Sequence, residues 1–274
     1  MTAYLSFEWL KFQKRWMPRV IVVLLIALTV FAFWGQGTRV DGRANLFMPR
    51  GWLAALSFCS FFAPFFWPVL GASWAGNEYG WGTLRAVLTR RPSRIEHFTA
   101  ALVVLVVGVA IGILAIVLTG TVAGIAVSLA TGNDTWASGV WGGDFASTLV
   151  KGFLTTWYVS AFYLILSYTS AIVFRSAAVG IAVGVGGTLA QYILRRIFNE
   201  LGGVWNTIAD HFPANYADSM ITHVVKDSLV PGTGLASTNA SDPSAGQSFV
   251  ALAIYGVIFL AIAMTAVRVR DVTA

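Results

Sequence analysis

The sequence predicts an all-α integral membrane protein, a bundle of six transmembrane helices forming one domain over residues 1–274. Two observations carry this. Hydrophobic residues make up 57% of the chain and charged residues only 11%, against a charged fraction of about 25% in soluble domains. The apolar residues are also gathered into blocks, near the roughly 20 residues that an α-helix needs to cross hydrocarbon, and the mean hydropathy is +0.73.

The blocks run over residues 20–35, 53–76, 98–130, 149–174, 177–197 and 249–267. A basic amphipathic head precedes them, in which Leu5, Trp9, Phe12 and Trp16 repeat at i, i+4, i+7 and i+11, one face of a helix. Phe7 and Leu10 break the pattern by falling on the side of Lys14. No convincing small-residue cleavage site follows the first block, which therefore reads as a retained span. The second block holds Pro64 and Pro68 among Phe58, Phe61, Phe62, Phe65, Phe66 and Trp67; proline removes a backbone donor and can kink a helix. The third has no charged residue between Glu96 and Asp134 and is long enough to tilt. In the fourth, Thr156, Ser160, Tyr163, Ser167 and Ser170 share one face. Hydroxyls avoid hydrocarbon without partners, so that face should look into the bundle, with helix packing favoured over pathway lining. Arg195 and Arg196 close the fifth block. Residues 199–247 follow, with apolar Trp205, Ile208, Phe212, Tyr216, Met220 and Val224 at helical spacing, suited to lie on or dip into the outer leaflet. Glycines at four-residue spacing, Gly108 and Gly112, Gly120 and Gly124, Gly180 and Gly184, permit close helix approach, within the bundle or in a dimer.

Lys and Arg set the expected orientation. Eleven of the 18 lie in the head, the loop after the second block, at Arg175 and at the C-terminal end. The positive-inside rule then places both termini in the cytoplasm; Arg39, Arg43 and Arg50 oppose it. The net charge of +6 is explained by these block ends, with no single basic face for nucleic acid. Trp16, Trp34, Trp52, Trp74, Trp81 and Trp205 fall near the block boundaries, where indole rings favour the headgroup region.

Several chemistries are disfavoured. No lysine follows a glycine, so the phosphate-cradling GxxxxGK[ST] loop is missing and no such ATP site exists. The histidines, His97, His211 and His223, have no cysteine or second histidine at a zinc-like interval and read as solvated or interfacial. Gly71-Ala72-Ser73 resembles the GxS of rhomboid proteases, but no block supplies the histidine base. The single cysteine, Cys59, excludes an intramolecular disulfide. Within the blocks, charged groups occur only near block ends, at Lys151 and at Arg195 with its neighbour Arg196, which argues against ion-coupled carriers that use mid-membrane charges.

The loop over residues 77–96 is the most informative segment. Residues 83–91 read as a short basic helix that stops before Pro92, and Ser93 with Glu96 forms an S-x-x-E capping box for the third span. Glu78, Gly82-Thr83-Leu84-Arg85, Leu88-Thr89-Arg90 and Pro92-Ser93-Arg94 resemble the loop pattern of ABC type-2 permeases, the membrane subunits of ATP-binding-cassette exporters. The likeness extends over the chain in its basic head, six spans and external segment before the last span.

The resemblance implies the rest of the picture. The loop is a cytoplasmic coupling helix docking on a separate ATPase subunit through Glu78, Thr83, Leu84, Arg85 and Arg90. The head, residues 1–18, is an interface helix on the inner membrane surface, presenting Leu5, Trp9, Phe12 and Trp16. The external segment holds re-entrant helices. Spans two and five line the path of an apolar or amphipathic substrate, with Phe61, Phe62 and Phe65 as contacts, and lipid-facing packing of these rings is the equal alternative; Thr156, Ser160, Tyr163 and Ser167 are the further candidates on the polar face of span four. ATP and Mg would sit on the partner ATPase, with no cofactor in this chain, and two permease chains, favoured as a homodimer, would assemble with two ATPases in the cytoplasmic membrane. A carrier or channel acting alone, or a membrane scaffold without transport, are the competing readings.

Overall fold

In a computed structural model, residues 2–39, 46–80, 93–132, 134–136, 142–225 and 243–269 are described. They form nine helices and no strand: α1 (Thr2–Lys14), α2 (Trp16–Gly37), α3 (Arg50–Gly80), α4 (Arg94–Ala130), α5 (Gly143–Phe174), α6 (Ala177–Leu201), α7 (Val204–Asp210), α8 (Pro213–Val225) and α9 (Ala245–Val269). Six of these, α2 to α6 and α9, are long and apolar enough to cross a membrane. The six-helix, all-α class predicted from composition is therefore the observed one.

Each spanning helix includes its apolar block, and most extend beyond it. Hydropathy marks the stretch suited to hydrocarbon, whereas a helix continues through polar residues until a cap or a break stops it. Thus α3 continues past residue 76 to Gly80, and α4 begins at Arg94, bringing Glu78 and His97 onto spanning helices. The head is shorter than expected. It ends at Lys14, where Arg15 adopts an extended backbone, and Trp16 already belongs to α2.

The bundle is built around α3 and α5, which run parallel. Ser60 and Thr156 share a 2.9 Å hydrogen bond, and a side chain at Gly71 would collide with the Leu164 carbonyl oxygen 2.6 Å away. Antiparallel to both lies α4: the Trp52 indole donates to Thr121 Oγ1 (2.9 Å), Trp157 to the Val106 carbonyl (2.9 Å) and the Tyr168 hydroxyl to the Phe98 carbonyl (2.9 Å). The parallel course of α9 beside α5 follows from Tyr158 donating to the Phe249 carbonyl and Thr169 to that of Phe259. Both described ends of the chain consequently lie at the end of the bundle that carries residues 80 and 94, together with Arg175.

The glycine pairs serve the bundle itself. A Cβ at Gly180 would fall 2.7 Å from that of Ala171 and 2.8 Å from that of Ala72, and one at Gly184 would fall 2.7 Å from Pro68 and Ser167. This seats α6 in the groove between α3 and α5, where a π-helical turn, Ala182–Gly186, interrupts it. Gly108, Gly112, Gly120 and Gly124 likewise face Phe12, Trp67, Ala55 and Met48 of the same chain. At the opposite end, Met48 N–H donates to the Thr135 carbonyl (3.1 Å), and α8 packs on α5 and α9 with Ala217 and Met220 in the core. Trp205 and Ile208 are exposed on α7.

Candidate functional site

Helix α1 docks on the bundle through the face that reads as its polar one. Tyr4, Glu8 and Lys11 point inward, and Arg15 continues the line. Leu5, Trp9 and Phe12 flank this contact and are half-buried, with Phe12 against Gly108, while Trp16 is 77% exposed. The interface stripe is thus displaced by one residue from the apolar pattern. Apolar periodicity reports affinity for lipid, but here the packing face is held by ion pairs, and Phe7, Leu10 and Trp16 are left outward.

Those ion pairs join three helices. Glu8 is fully buried; its Oε2 accepts from the Trp74 indole at 2.9 Å, and the Lys11 ammonium donates to Oε1 and Oε2 at 3.1 and 3.0 Å. Lys11 also contacts Glu78 Oε1. Glu78, only 5% exposed, is 2.9 Å from His97 Nε2 through its other oxygen. His97 is fully buried, with Nδ1 3.5 Å from Glu8 Oε1. Above the Trp74 ring lie two cations, Lys11 Nζ at 4.8 Å and Arg15 Cζ at 4.7 Å from its centroid. Burial pushes the Arg15 guanidinium down from its ordinary value, and Glu78 and Glu8 push it back up; arginine remains charged under such opposing effects. Burying each carboxylate costs several kcal/mol, offset only by close partners of opposite charge and filled hydrogen bonds.

Two expectations are corrected here. His97 is not solvated or interfacial but is enclosed in this cluster, whereas His211 and His223 are exposed as expected. The spanning helices are not limited in ionisable groups to the neighbourhood of Lys151 and Arg195: Glu78 and His97 sit within them, two residues before the end of α3 and at the fourth residue of α4. Because both lie at helix ends, no mid-membrane charge of the kind used by ion-coupled carriers follows from them. Trp74 is also buried, at 1% exposure, inside the bundle. None of this had a local signal, since Glu8, Glu78 and His97 are 70 and 19 residues apart in sequence and metal or ion-pair spacing rules see only neighbours.

The remaining site residues divide clearly. Glu78 faces inward, so it has no surface to offer a docking protein directly. Thr83, Leu84, Arg85 and Arg90 lie outside the described residues, as does the whole of the predicted basic helix. Ser93 does occupy the N-cap of α4, but its side chain accepts no backbone amide hydrogen bond. Thr156, Ser160, Tyr163 and Ser167 are buried, together with Ser170, as the helix-packing reading of that face expects. Phe61, Phe62 and Phe65 are partly buried on α3 and touch one another, edge to face for Phe61 and Phe62 with ring centroids 4.9 Å apart, and tilted for Phe61 and Phe65 at 6.4 Å. A second polar group lies at the far end, where the Tyr192 hydroxyl donates to Asp218 Oδ1 (2.9 Å) and Arg195 approaches Oδ2 (3.9 Å), tying α6 to α8.

Fold and cluster together define a multi-pass α-helical membrane protein whose amphipathic head is pinned by buried charge to two helix ends. The chain belongs to a protein family of unknown function, DUF2705, whose profile matches residues 19–273. No curated protein matches it significantly.

Proposed function

We propose that this chain is the transmembrane permease subunit of an ATP-driven ABC exporter, moving an apolar or amphipathic substrate with a separate ATPase subunit. The observation that supports it most is the position of the buried cluster. Glu78 and His97 stand at the two stems of the loop over residues 81–92, and Glu8 and Lys11 of α1 bridge them. A force applied to that loop is therefore passed to both stems and the head together, rather than dissipated in one helix end. The loop also carries Gly82-Thr83-Leu84-Arg85, the part of the sequence that resembles a coupling helix.

In this reading Thr83, Leu84, Arg85 and Arg90 meet the ATPase, and Glu78 acts behind them by holding the stem. The ends of the bundle rich in Lys and Arg face the cytoplasm, where the ATPase resides. ATP and Mg bind to that partner, and two permease chains, as a homodimer, enclose the path. The test is co-expression with an ATPase encoded beside the gene, followed by affinity purification in detergent. Wild type carries the ATPase through purification, and Arg85→Glu with Arg90→Glu loses it while remaining monodisperse. Equal recovery of the ATPase with both forms refutes the coupling role, and substrate transport in proteoliposomes without any ATPase refutes the exporter reading itself.

A further inference from the structure

We propose that a cavity at the junction of α1 and α2 binds the phosphate of an anionic phospholipid, with the first carbons of its chain lying on Met17 and Leu70. The cavity, of about 200 Å³, lies between the start of α2 and the last turns of α3. Drug-sized ligands need about 300–1,000 Å³, so it holds a phosphate and a short length of chain and leaves the rest of the lipid outside. Its depth in the membrane suits that ligand. Trp16, on the rim, is 77% exposed where α2 begins, and indole rings favour the headgroup region. Beside it Met17, Leu70 and the Trp74 ring supply carbon walls.

Three polar side chains line the same space, Arg15, Ser73 and Asn77. Ser73 and Asn77 share one face of α3 at i and i+4. Ser73 is only 8% exposed, yet among the described residues its hydroxyl has no hydrogen-bond partner. It does not even use the carbonyl four residues back, to which Ser57, Ser60 and Ser170 donate. A buried hydroxyl left open toward a cavity calls for a ligand that accepts from it. The Asn77 amide, partly buried, is likewise without a partner among the described residues. Arg15 is held over the Trp74 ring, its Cζ 4.7 Å from the centroid, and a guanidinium fixed in this way presents paired N–H donors to a phosphate. The first turn of α2 opens on the cavity at Trp16 and Met17, and its N-cap residue Arg15 gives no side-chain hydrogen bond to those amides; unpaired amides at a helix N-terminus favour an anion. Charge agrees. Glu8 and Glu78 are matched by Lys11 and Arg15, and Lys14 and Arg19, both exposed at the same junction, leave the rim positive. A net negative headgroup is therefore preferred to a zwitterionic one, which carries its own cation into that field. A free phosphate would leave the Met17 and Leu70 walls bare, so the ligand is the lipid and not the inorganic ion.

The experiment is native mass spectrometry of the full chain, delipidated in detergent and titrated with phosphatidylglycerol, phosphatidylcholine or glycerol 3-phosphate. Wild type retains one phosphatidylglycerol per chain, about 10-fold more tightly than phosphatidylcholine. Arg15→Gln weakens retention about 10- to 100-fold, and Ser73→Ala with Asn77→Ala, which leaves every charge in place, about 3- to 10-fold. Ser73→Leu fills the cavity and removes the tight site while the protein stays monodisperse. Lys14→Gln with Arg19→Gln lowers retention less than Arg15→Gln does alone. The proposal is overturned if wild type holds phosphatidylglycerol and phosphatidylcholine alike, or if Ser73→Leu retains phosphatidylglycerol as wild type does. It is equally overturned if the exposed pair Lys14 and Arg19 matters as much as Arg15, which makes the binding a diffuse surface effect, or if glycerol 3-phosphate binds as tightly as the lipid, which makes phosphate alone the ligand. Because the Ser73 and Asn77 variants leave Glu8, Lys11 and Glu78 intact, undocking of α1 in Arg15→Gln does not remove the test.

Discussion

Substituting Glu8 tests the way α1 is held. In Glu8→Ala the Trp74 indole loses its acceptor at 2.9 Å, and a buried donor without a partner costs about 1–3 kcal/mol. Lys11 loses two of its contacts, at 3.0 and 3.1 Å, and keeps Glu78. That adds about 1 kcal/mol and not the full penalty of an unpaired buried ion, since one carboxylate remains. The sum is about 3 kcal/mol, and it falls on undocking of α1, because Glu8 touches the bundle only through this cluster. At 1.4 kcal/mol per factor of ten, the undocked population rises about 100-fold. Hydrogen exchange followed by mass spectrometry on the detergent-solubilised protein reads this directly. Amides of α1 should lose about 100-fold protection, while those of the α3 and α5 centres keep theirs. Glu8→Gln, which retains an acceptor for Trp74, should lose about 10-fold. Combining Glu8→Gln with Lys11→Met should give a non-additive result of about 1–3 kcal/mol. Unchanged exchange in α1 for Glu8→Ala, or strict additivity in the pair, would refute the claim that buried charge pins the head.

Further outcomes follow from packing. Gly184→Val should destabilise the bundle by about 1–3 kcal/mol, because Pro68 and Ser167 already lie 2.7 Å from the position of its first carbon; Gly187→Ala, three residues on with nothing within 4 Å, should be neutral or gain up to about 1 kcal/mol from helix propensity, and denaturation in mixed micelles compares the two. Trp52→Phe should cost about 1 kcal/mol by removing its hydrogen bond to Thr121, measured the same way. Cys59, 1% exposed in the core, should resist a maleimide reagent in the folded protein and react fully in hot dodecyl sulfate; labelling of the folded protein at the denatured rate would show that α3 does not pack as described. Arg175→Gly should stabilise the protein by up to about 1 kcal/mol, since Arg175 closes α5 at φ 52°, a left-handed conformation that glycine adopts without penalty.

Much of the bundle was legible from composition because lipid imposes a simple rule: a spanning helix must be apolar over its length and must satisfy its own backbone. The number of spans and the inward face of span four follow from that rule, and Thr156, Ser160, Tyr163 and Ser167 are indeed buried. What the rule does not contain is pairing across helices. Glu8 looks like a solvated charge on an amphipathic head, and Glu78 and His97 look like loop residues outside their apolar blocks. Only when α3 runs on to Gly80 and α4 starts at Arg94 do these side chains meet. The displacement of the α1 stripe has the same origin, as hydropathy cannot see that a charged face is the one that docks.

The glycine pairs carry the argument one step further. From sequence they served equally a bundle or a dimer, since close approach needs only small residues at four-residue spacing. In the structure all six face neighbours of their own chain, at distances where any added carbon collides. A second copy of the chain would therefore have to pack on other surfaces, and the partly buried Phe61, Phe62 and Phe65 face of α3 is one such surface beside the buried core. Small-residue substitutions should thus affect folding before they affect assembly. Aromatic truncations on α3 should reach assembly as well: Phe61→Ala with Phe65→Ala, removing partly buried rings, should shift any dimer seen by light scattering toward monomer. If the double variant instead unfolds several kcal/mol earlier with no change in mass, those rings belong to the fold of the single chain and not to its assembly.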